Sequence, residues 1–124
     1  MNDGHDVLIV DDDPDMTETI AMVLEIDGYA CRIAMNGREA LVAAEAKRPG
    51  LVLLDMVMPV MNGWECARVL RERYGREIRI VAVTAAEHAN ARARQADADA
   101  VLSKPFDVDA LRATVARCFT RPSA

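Results

Sequence analysis

The sequence has no long apolar run and no excess of basic residues. Its longest uninterrupted apolar stretches are four or five residues, far short of the roughly 20 that a transmembrane helix needs, and too short for a signal peptide. Fifteen basic against twenty acidic side chains give a net charge of −5, whereas nucleic-acid-binding surfaces are normally basic. These absences predict a cytoplasmic protein that binds neither a membrane nor nucleic acid directly.

Disulfide and zinc frameworks are also missing. The three cysteines, Cys31, Cys66 and Cys118, are an odd number without a CxxC pair, and the two histidines, His5 and His88, show no ligand spacing with them. A chain of 124 residues buries enough surface to fold as one domain without disulfide bonds or a structural metal ion. We therefore expect reduced cysteines in the core or at its boundary.

Short β-branched runs alternate with amphipathic stretches along the whole chain. The runs predict strands at Val7–Val10, Ala30–Ala34, Leu51–Leu54, Ile78–Val83 and Ala100–Leu102. Three of them are almost continuously apolar, which is typical of strands covered on both faces. The stretches between them predict five helices. The first holds Met16, Ile20, Val23 and Leu24, and the last holds Val108, Leu111, Val115 and Phe119. The three between these run from Asn36 to Pro49, from about Asn62 to Tyr74 and from about Glu87 to Ala96. This alternation predicts an α/β fold with a parallel sheet and helices on both sides.

Polar side chains follow four of the five predicted strands. Asp11 and Asp12 come after the first strand, Asp55 after the third, Thr84 after the fourth and Lys104 after the fifth. Ligands of such sheets bind at the carboxyl ends of the strands, so these groups are expected to converge. Clustered carboxylates must bind a cation or take up a proton, and all-oxygen ligands suit Mg²⁺. Carboxylate, Mg²⁺, lysine and hydroxyl around one point can stabilise a phosphoryl group in transfer, with a carboxylate as nucleophile.

Simpler interpretations exist for parts of this pattern. Asp13 before Pro14 is a good helix N-cap, and we favour that role for Asp13 and Asp15. Asp11, Asp13 and Asp15 imitate the start of an EF-hand loop, but Met16 stands where that loop needs glycine. The run from Asp13 also matches the DxDxT pattern of haloacid-dehalogenase phosphotransferases, although it begins three residues beyond the strand. Asp11 and Asp12 stay unexplained by capping alone.

Four linked motifs carry a family resemblance that spans essentially the whole chain. They read LIVDDDP over Leu8–Pro14, LDMVMPVMNG over Leu54–Gly63, VTA over Val83–Ala85 and LSKPF over Leu102–Phe106. In this order and spacing they resemble the receiver domain of two-component response regulators, the CheY-like family. The resemblance implies a doubly wound (βα)5 flavodoxin-like sandwich over residues 1–124, with a five-stranded parallel sheet of order 2-1-3-4-5.

The resemblance also implies roles for individual residues. Asp55 corresponds to the phosphoacceptor, Thr84 to the switch hydroxyl that hydrogen-bonds the new phosphoryl group, and Lys104 to the lysine that pairs with it. Pro105 is expected to follow a cis peptide bond, as in relatives. Gly63 is expected to shape the loop after Asp55 and the start of the third helix.

The cofactor that the resemblance implies is Mg²⁺. Its site corresponds to Asp12, with Asp11 directly or through water, together with Asp55 and the backbone carbonyl of Val57. The metal would be shared between these oxygens and the incoming phosphoryl group.

The sequence departs from the family pattern at two positions. Val101 stands where relatives usually carry Tyr, Phe or His, so an inward flip of an aromatic ring is not expected as the output. Asp97 replaces a glycine that often takes a positive φ, a region that Asp visits at modest cost. The charge set that relatives use to dimerise is incomplete, which predicts a monomer or a weak dimer.

The sequence therefore predicts a phosphorylation-activated switch rather than an enzyme, since it would promote only its own phosphorylation and dephosphorylation. The phosphodonor would be a sensor histidine kinase or a histidine phosphotransfer protein. The phosphorylated form would change the surface of its fourth helix, fifth strand and fifth helix to control a downstream protein or an output domain. Two alternatives are an unphosphorylated interaction module and a haloacid-dehalogenase-type phosphatase, which would turn over phosphate esters.

Overall fold

The computed structural model describes residues 5–58, 61–85 and 97–120. Within them a single sheet holds five parallel strands in the order β2-β1-β3-β4-β5, and these span Asp6–Val10 (β1), Ala30–Ala34 (β2), Leu51–Asp55 (β3), Arg79–Ala85 (β4) and Ala100–Lys104 (β5). The doubly wound α/β fold and its strand order are confirmed. The predicted helix at about Glu87–Ala96 lies outside the described residues.

Four described helices cover the sheet. They span Pro14–Ile26 (α1), Gly37–Ala46 (α2), Gly63–Tyr74 (α3) and Val108–Thr120, which we call the C-terminal helix. A short 3₁₀ turn at Gly75–Glu77 continues α3 towards β4; hydrophobic spacing did not predict it, because three residues are too few to show a period. No helix among the described segments has the length and apolar character needed to cross a membrane.

Side-chain caps fix where the first three helices begin. The carboxylate of Asp13 accepts hydrogen bonds from the backbone N–H groups of Asp15 and Met16, as predicted. Asn36 and Asn62 cap α2 and α3 in the same way, each accepting from the backbone N–H three residues on. These caps satisfy amide groups that would otherwise lack intrahelical partners, and the first and third caps lie next to the carboxyl ends of β1 and β3.

Two separate hydrophobic cores lie on opposite faces of the sheet. One holds Leu8, Val10, Val52, Leu54 and Ile80 under α2 and α3. The other holds Val7, Ile9, Leu51, Leu53 and Val81 under α1 and the C-terminal helix. Successive strand residues point to opposite faces of the sheet. Because both faces are covered, every residue of β1 and β3 is buried. Each large aliphatic side chain buried in this way contributes about 1.5–3 kcal/mol.

The buried face of the C-terminal helix differs from the spacing in the sequence. Leu111 and Val115 are buried as expected, but Cys118 takes the third position of that stripe. Val108, the first residue of the helix, is 48% exposed. Phe119 is half-buried and stacks on Tyr29, with ring centroids 5.3 Å apart.

The cysteines behave as predicted. Cys66 and Cys118 are buried, Cys31 is half-buried, and all three are free thiols. Burial raises the pKa of the Cys31 thiol to about 11 and that of the Cys66 thiol to about 12, so both are packing residues rather than reactive thiolates.

Candidate phosphoacceptor and metal site

Three carboxylates meet at the carboxyl edge of the sheet. Asp11 and Asp12 follow β1, and Asp55 is the last residue of the neighbouring strand β3. One carboxylate oxygen from each lies within 4.8 Å of the other two. Asp11 and Asp55 are buried, with 4% and 6% of their surface exposed, whereas Asp12 is exposed. The adjacency of β1 and β3 therefore brings together residues that are more than 40 positions apart in the sequence.

Backbone amides orient the two buried carboxylates. The N–H of Asp13 donates to Asp11 Oδ1 at 3.0 Å, and the N–H of Val57 donates to Asp55 Oδ1 at 3.1 Å. Both are contacts of a side chain with the amide two residues on, the usual geometry of an Asx turn. In each carboxylate one oxygen is thus held by the backbone, while Oδ2 faces the neighbouring side chains.

Lys104 brings one positive charge to this cluster from the end of β5. Its Nζ lies 3.5 Å from Asp55 Oδ2 and 3.7 Å from Asp11 Oδ2, and its side chain is about one-third exposed. The peptide bond between Lys104 and Pro105 is cis, as predicted. One ammonium does not neutralise three carboxylates, so this corner keeps a net negative charge.

The pKa of the Asp55 carboxyl reflects these surroundings. Burial is the largest influence and raises it from 3.8 to about 6. The hydrogen bond from Val57 lowers it, the charges of Asp11 and Asp12 raise it, and the charge of Lys104 lowers it. The ionised form of Asp55 is therefore costly in this corner, and a bound cation would favour it.

Thr84 stands on β4, at the same edge of the sheet. It is buried, with 3% of its surface exposed, and its register partner on β5 is Ser103, next to Lys104. On the other side of β4, Asp55 pairs with Val83, so Thr84 lies one residue further towards the edge than the position opposite Asp55. The hydroxyl is therefore carried by the strand that lies between Asp55 and Lys104.

Gly63 closes the loop that follows Asp55. Its N–H donates to the carbonyl oxygen of Met56 at 3.1 Å. A Cβ at this position would overlap the carbonyl oxygen of Asp55 and the Cα of Met56. The first turn of α3 can approach the strand end so closely because residue 63 has no side chain, which agrees with the predicted role of this glycine.

The donor set suits a hard divalent cation. Asp11, Asp12 and Asp55 supply carboxylate oxygens alone, which is the ligand chemistry that Mg²⁺ prefers. The open side at the exposed Asp12 leaves room for the waters that Mg²⁺ usually keeps. The predicted fourth ligand, the carbonyl of Val57, belongs to the residue whose N–H already contacts Asp55. These residues could hold the ion.

Sequence reasoning missed the backbone amides that orient the site. The N–H groups of Asp13 and Val57 orient the two buried carboxylates, yet side-chain patterns carry no direct record of amide direction. The tendency of Asp to bond the amide two residues on could have indicated both contacts.

The fold accommodates both residues that depart from the family pattern, Val101 and Asp97. Val101 is half-buried and packs against the core under α2 and α3. Asp97 adopts a positive φ of 50°, as its place in the motif predicted. Its carboxylate pairs with Arg76 at 2.9 Å.

Most of the chain is similar to proteins of one known family. The family model for the response regulator receiver domain matches residues 7–116. Response regulator MprA of Mycolicibacterium vanbaalenii is 38% identical over 109 residues, which are 86% of this chain and 47% of that protein. DNA-binding response regulator MtrA of Mycolicibacterium smegmatis is 43% identical over 79 residues, 64% of this chain and 34% of that protein. The chain thus spans about half or less of the length of these relatives.

Solved structures show the same architecture. Chemotaxis protein CheY4 of Vibrio cholerae is 30% identical with a TM-score of 0.83, over 91% of this chain and 97% of that one. The receiver domain of NtrX from Brucella abortus is 25% identical with a TM-score of 0.85, over 94% of this chain and 99% of that one. The chain belongs to the receiver domains of two-component response regulators, which are signalling domains.

Proposed function

We propose that residues 1–124 form one receiver domain that works as a phosphorylation-dependent switch, with Asp55 as the phosphoacceptor. The observation that carries this proposal is the convergence of Asp11, Asp12 and Asp55, whose oxygens lie within 4.8 Å of one another, with Lys104 Nζ 3.5 Å from Asp55. Within this cluster, Asp55 is the carboxylate carried by the central strand β3, and it is buried, with 6% of its surface exposed.

The donor in this proposal is a phosphohistidine of a sensor histidine kinase or a histidine phosphotransfer protein. An Asp55 carboxylate oxygen bonds to phosphorus while the P–N bond breaks, and the bonding electrons leave with the imidazole nitrogen. The product is an acyl phosphate on Asp55 and a free histidine on the donor. The role of the receiver is to position the carboxylate and to stabilise the charge on the phosphoryl oxygens.

Mg²⁺, held by Asp11, Asp12, Asp55 and the carbonyl of Val57, would supply positive charge to the phosphoryl oxygens. Lys104 would then turn its ammonium from the carboxylates to the phosphoryl group, since it is held at 3.5–3.7 Å, beyond the usual 2.7–2.9 Å of a direct charge-assisted hydrogen bond.

Thr84 would convert the chemical step into a change of shape. Its hydroxyl, on the strand between Asp55 and Lys104, would hydrogen-bond the new phosphoryl oxygens and draw the end of β4 towards them. A shift from mostly inactive to mostly active takes on the order of 5 kcal/mol, which a few charge-assisted hydrogen bonds of roughly 1.5–3 kcal/mol each can supply. The surface of the predicted fourth helix, β5 and the C-terminal helix would then control a downstream protein or an output domain.

Labelling by acetyl phosphate in the presence of Mg²⁺ tests this proposal. We expect one phosphoryl group on the wild-type chain and none on Asp55→Asn. Asp13→Asn is the matched control, because asparagine caps a helix as well as aspartate and Asp13 lies outside the three-carboxylate cluster. Undiminished labelling of Asp55→Asn would refute the assignment. An unlabelled wild-type chain would instead favour an unphosphorylated interaction module.

A further inference from the structure

Gly37 is a buried glycine at the first position of α2. Glycine is less favourable than alanine inside a helix, because it loses more backbone freedom on folding. Gly28 and Gly75 adopt a positive φ, whereas Gly37 does not, so its backbone conformation is open to any residue. The reason for a glycine at this position therefore lies in the space around it.

The space next to Gly37 is occupied by Met61, which lies between Asp55 and α3 in the chain. A Cβ at position 37 would lie 2.9 Å from the Cβ, the Cγ and the carbonyl oxygen of Met61. Non-bonded carbon atoms pack at about 3.5–4.0 Å, so an added methyl group and Met61 cannot both keep their places. The carbonyl oxygen of Gly37 also accepts a hydrogen bond from Cys66 Sγ of α3 at 3.7 Å. The start of α2 therefore lies directly against the loop after Asp55 and the helix that follows it.

The start of α2 is the rigid side of this contact. The side chain of Asn36 accepts a hydrogen bond from the N–H of Glu39, and the Glu39 carboxylate accepts one from the N–H of Met35, both at 2.9 Å. Just before this corner, the N–H of Asp11 donates to the carbonyl oxygen of Ala34 at 3.2 Å, which joins the end of β2 to the end of β1. A methyl group on residue 37 would therefore displace the loop rather than the helix.

The loop on the other side of the contact orients the phosphoacceptor. Its Val57 N–H holds Asp55 Oδ1 at 3.1 Å, and the carbonyl of Val57 is the fourth ligand in the proposed Mg²⁺ site. The hydrogen bond from Gly63 N–H to the Met56 carbonyl oxygen, at 3.1 Å, closes the loop at its base. Because the closed loop is short, a displacement of Met61 reaches the groups that contact Asp55.

We propose that Gly37 is a positioning residue for the phosphoacceptor site. By leaving room for Met61, it lets the loop after Asp55 hold the amide and the carbonyl of Val57 where the carboxylate and the metal need them. This inference rests on the proposed function of Asp55 and on its Mg²⁺ site. It gives a role in that site to the start of α2, an element that contributes no side chain to the acidic cluster.

Gly37→Ala tests this role in the full chain, with two signals read from amide NMR spectra. In a Mg²⁺ titration followed at the amide of Asp13, we expect the affinity to fall by roughly tenfold or more, as is usual when a residue that supports the metal ligands is changed. In the metal-free chain, the amide resonance of Val57 should shift, because its hydrogen bond to Asp55 is disturbed. The matched control is Gly28→Ala, where φ is 96° and nothing lies within 4 Å of an added Cβ. It should lower the free energy of unfolding through backbone strain and leave both signals as in the wild type.

A second substitution checks that the effect passes through Met61. Met61→Gly removes two of the three atoms that an added Cβ would meet, so in that background Gly37→Ala should cost less Mg²⁺ affinity. The proposal is overturned if Gly37→Ala lowers only the free energy of unfolding, as Gly28→Ala does, or if its effect is the same in both backgrounds. A wild-type chain that binds no Mg²⁺ would refute the proposed metal site, and the Val57 resonance, which needs neither metal nor phosphodonor, would then decide the role of Gly37.

Discussion

At the scale of single residues, Asp55 is a carboxylate that the fold makes costly to ionise. Burial raises its pKa from 3.8 to about 6, so the folded state binds a proton that the unfolded chain releases. The sign follows from linkage: without a metal, this group lowers folding stability as pH rises from about 4 through about 6, and the loss is complete above that range. A shift of about two units corresponds to at most roughly 3 kcal/mol.

Replacing that carboxylate by an amide should therefore stabilise the metal-free protein at neutral and alkaline pH. In urea denaturation with a chelator present, we expect Asp55→Asn to exceed the wild type by up to roughly 3 kcal/mol at about pH 8, and to differ little at about pH 4. The exposed Asp12 provides the comparison, because water solvates its carboxylate; Asp12→Asn should gain less. A gain for Asp55→Asn that is the same at both pH values would contradict the burial argument.

Gly63 is the residue where the close approach of α3 to the site leaves no room for a side chain. Gly63→Ala would press a methyl group against the Asp55 carbonyl oxygen and the Met56 Cα, and backbone has little freedom to yield there. We expect a loss of about 1–3 kcal/mol in the free energy of unfolding, together with weaker labelling by acetyl phosphate. Wild-type stability in this variant would show that the loop moves freely.

At the scale of elements, Arg71 ties the end of α3 to the chain that enters β5. Its guanidinium donates to the carbonyl oxygens of Gly75, Ile78 and Asp97, and it pairs with the Asp99 carboxylate at 2.7 Å. Its side chain is only 10% exposed. Asp97, which holds the positive φ, is thus fixed through its backbone as well as its side chain.

A lysine cannot replace this arrangement, because one ammonium does not reproduce the planar fork of donors. We expect Arg71→Lys to lower the free energy of unfolding by about 2–3 kcal/mol, since it leaves the partly buried carbonyl oxygen of Ile78 without its donor and weakens the pairing with Asp99. Arg73→Lys is the matched control on the same helix: its contact with Glu45 is exposed and 3.8 Å long, so the change should stay within about 0.5 kcal/mol. Thermal or urea denaturation of the two variants measures these changes. Similar losses in the free energy of unfolding for both variants would show that Arg71 has no special role.

The elements themselves were largely predictable from hydrophobic pattern. β1 and β3 are buried on both faces, which agrees with the continuously apolar runs Val7–Val10 and Leu51–Leu54 within them. The caps at Asp13, Asn36 and Asn62 gave the helix starts. The ends of the last helix were harder to predict: Val108 and Phe119 fit an apolar period, yet Val108 is exposed and Phe119 is half-buried, since exposure depends on how neighbouring elements pack.

The acidic cluster was predictable as a list of residues but not as a geometry. Strand ends in a parallel sheet meet at one edge, which was enough to bring Asp11, Asp55 and Lys104 together. The orientation of each carboxylate depends on backbone amides two residues on, and the 3.5 Å separation of Lys104 from Asp55 depends on side-chain conformations. Neither quantity is encoded in hydrophobic spacing.

At the scale of the whole molecule, the sheet carries a cluster of three carboxylates at one edge and a hydrophobic core on each face. Three carboxylates and one ammonium leave an excess of about two negative charges at one edge, and their mutual repulsion opposes folding as long as no cation is present. A cation that binds the folded chain alone should stabilise the entire domain by mass action.

Mg²⁺ should therefore raise the free energy of unfolding in a concentration-dependent way. Above the dissociation constant, each further tenfold increase in free Mg²⁺ should add about 1.4 kcal/mol, read as a rise in the urea midpoint. NaCl at matched ionic strength controls for general screening, and the Asp12→Asn variant, which removes one of the three clustered carboxylates, should respond only at higher concentrations. Trp64, beside Gly63 at the start of α3, offers an independent fluorescence signal for the same titration. If Mg²⁺ and NaCl stabilise the wild type equally, the cluster is not a metal site and the charge excess must be relieved by protonation of Asp55 instead.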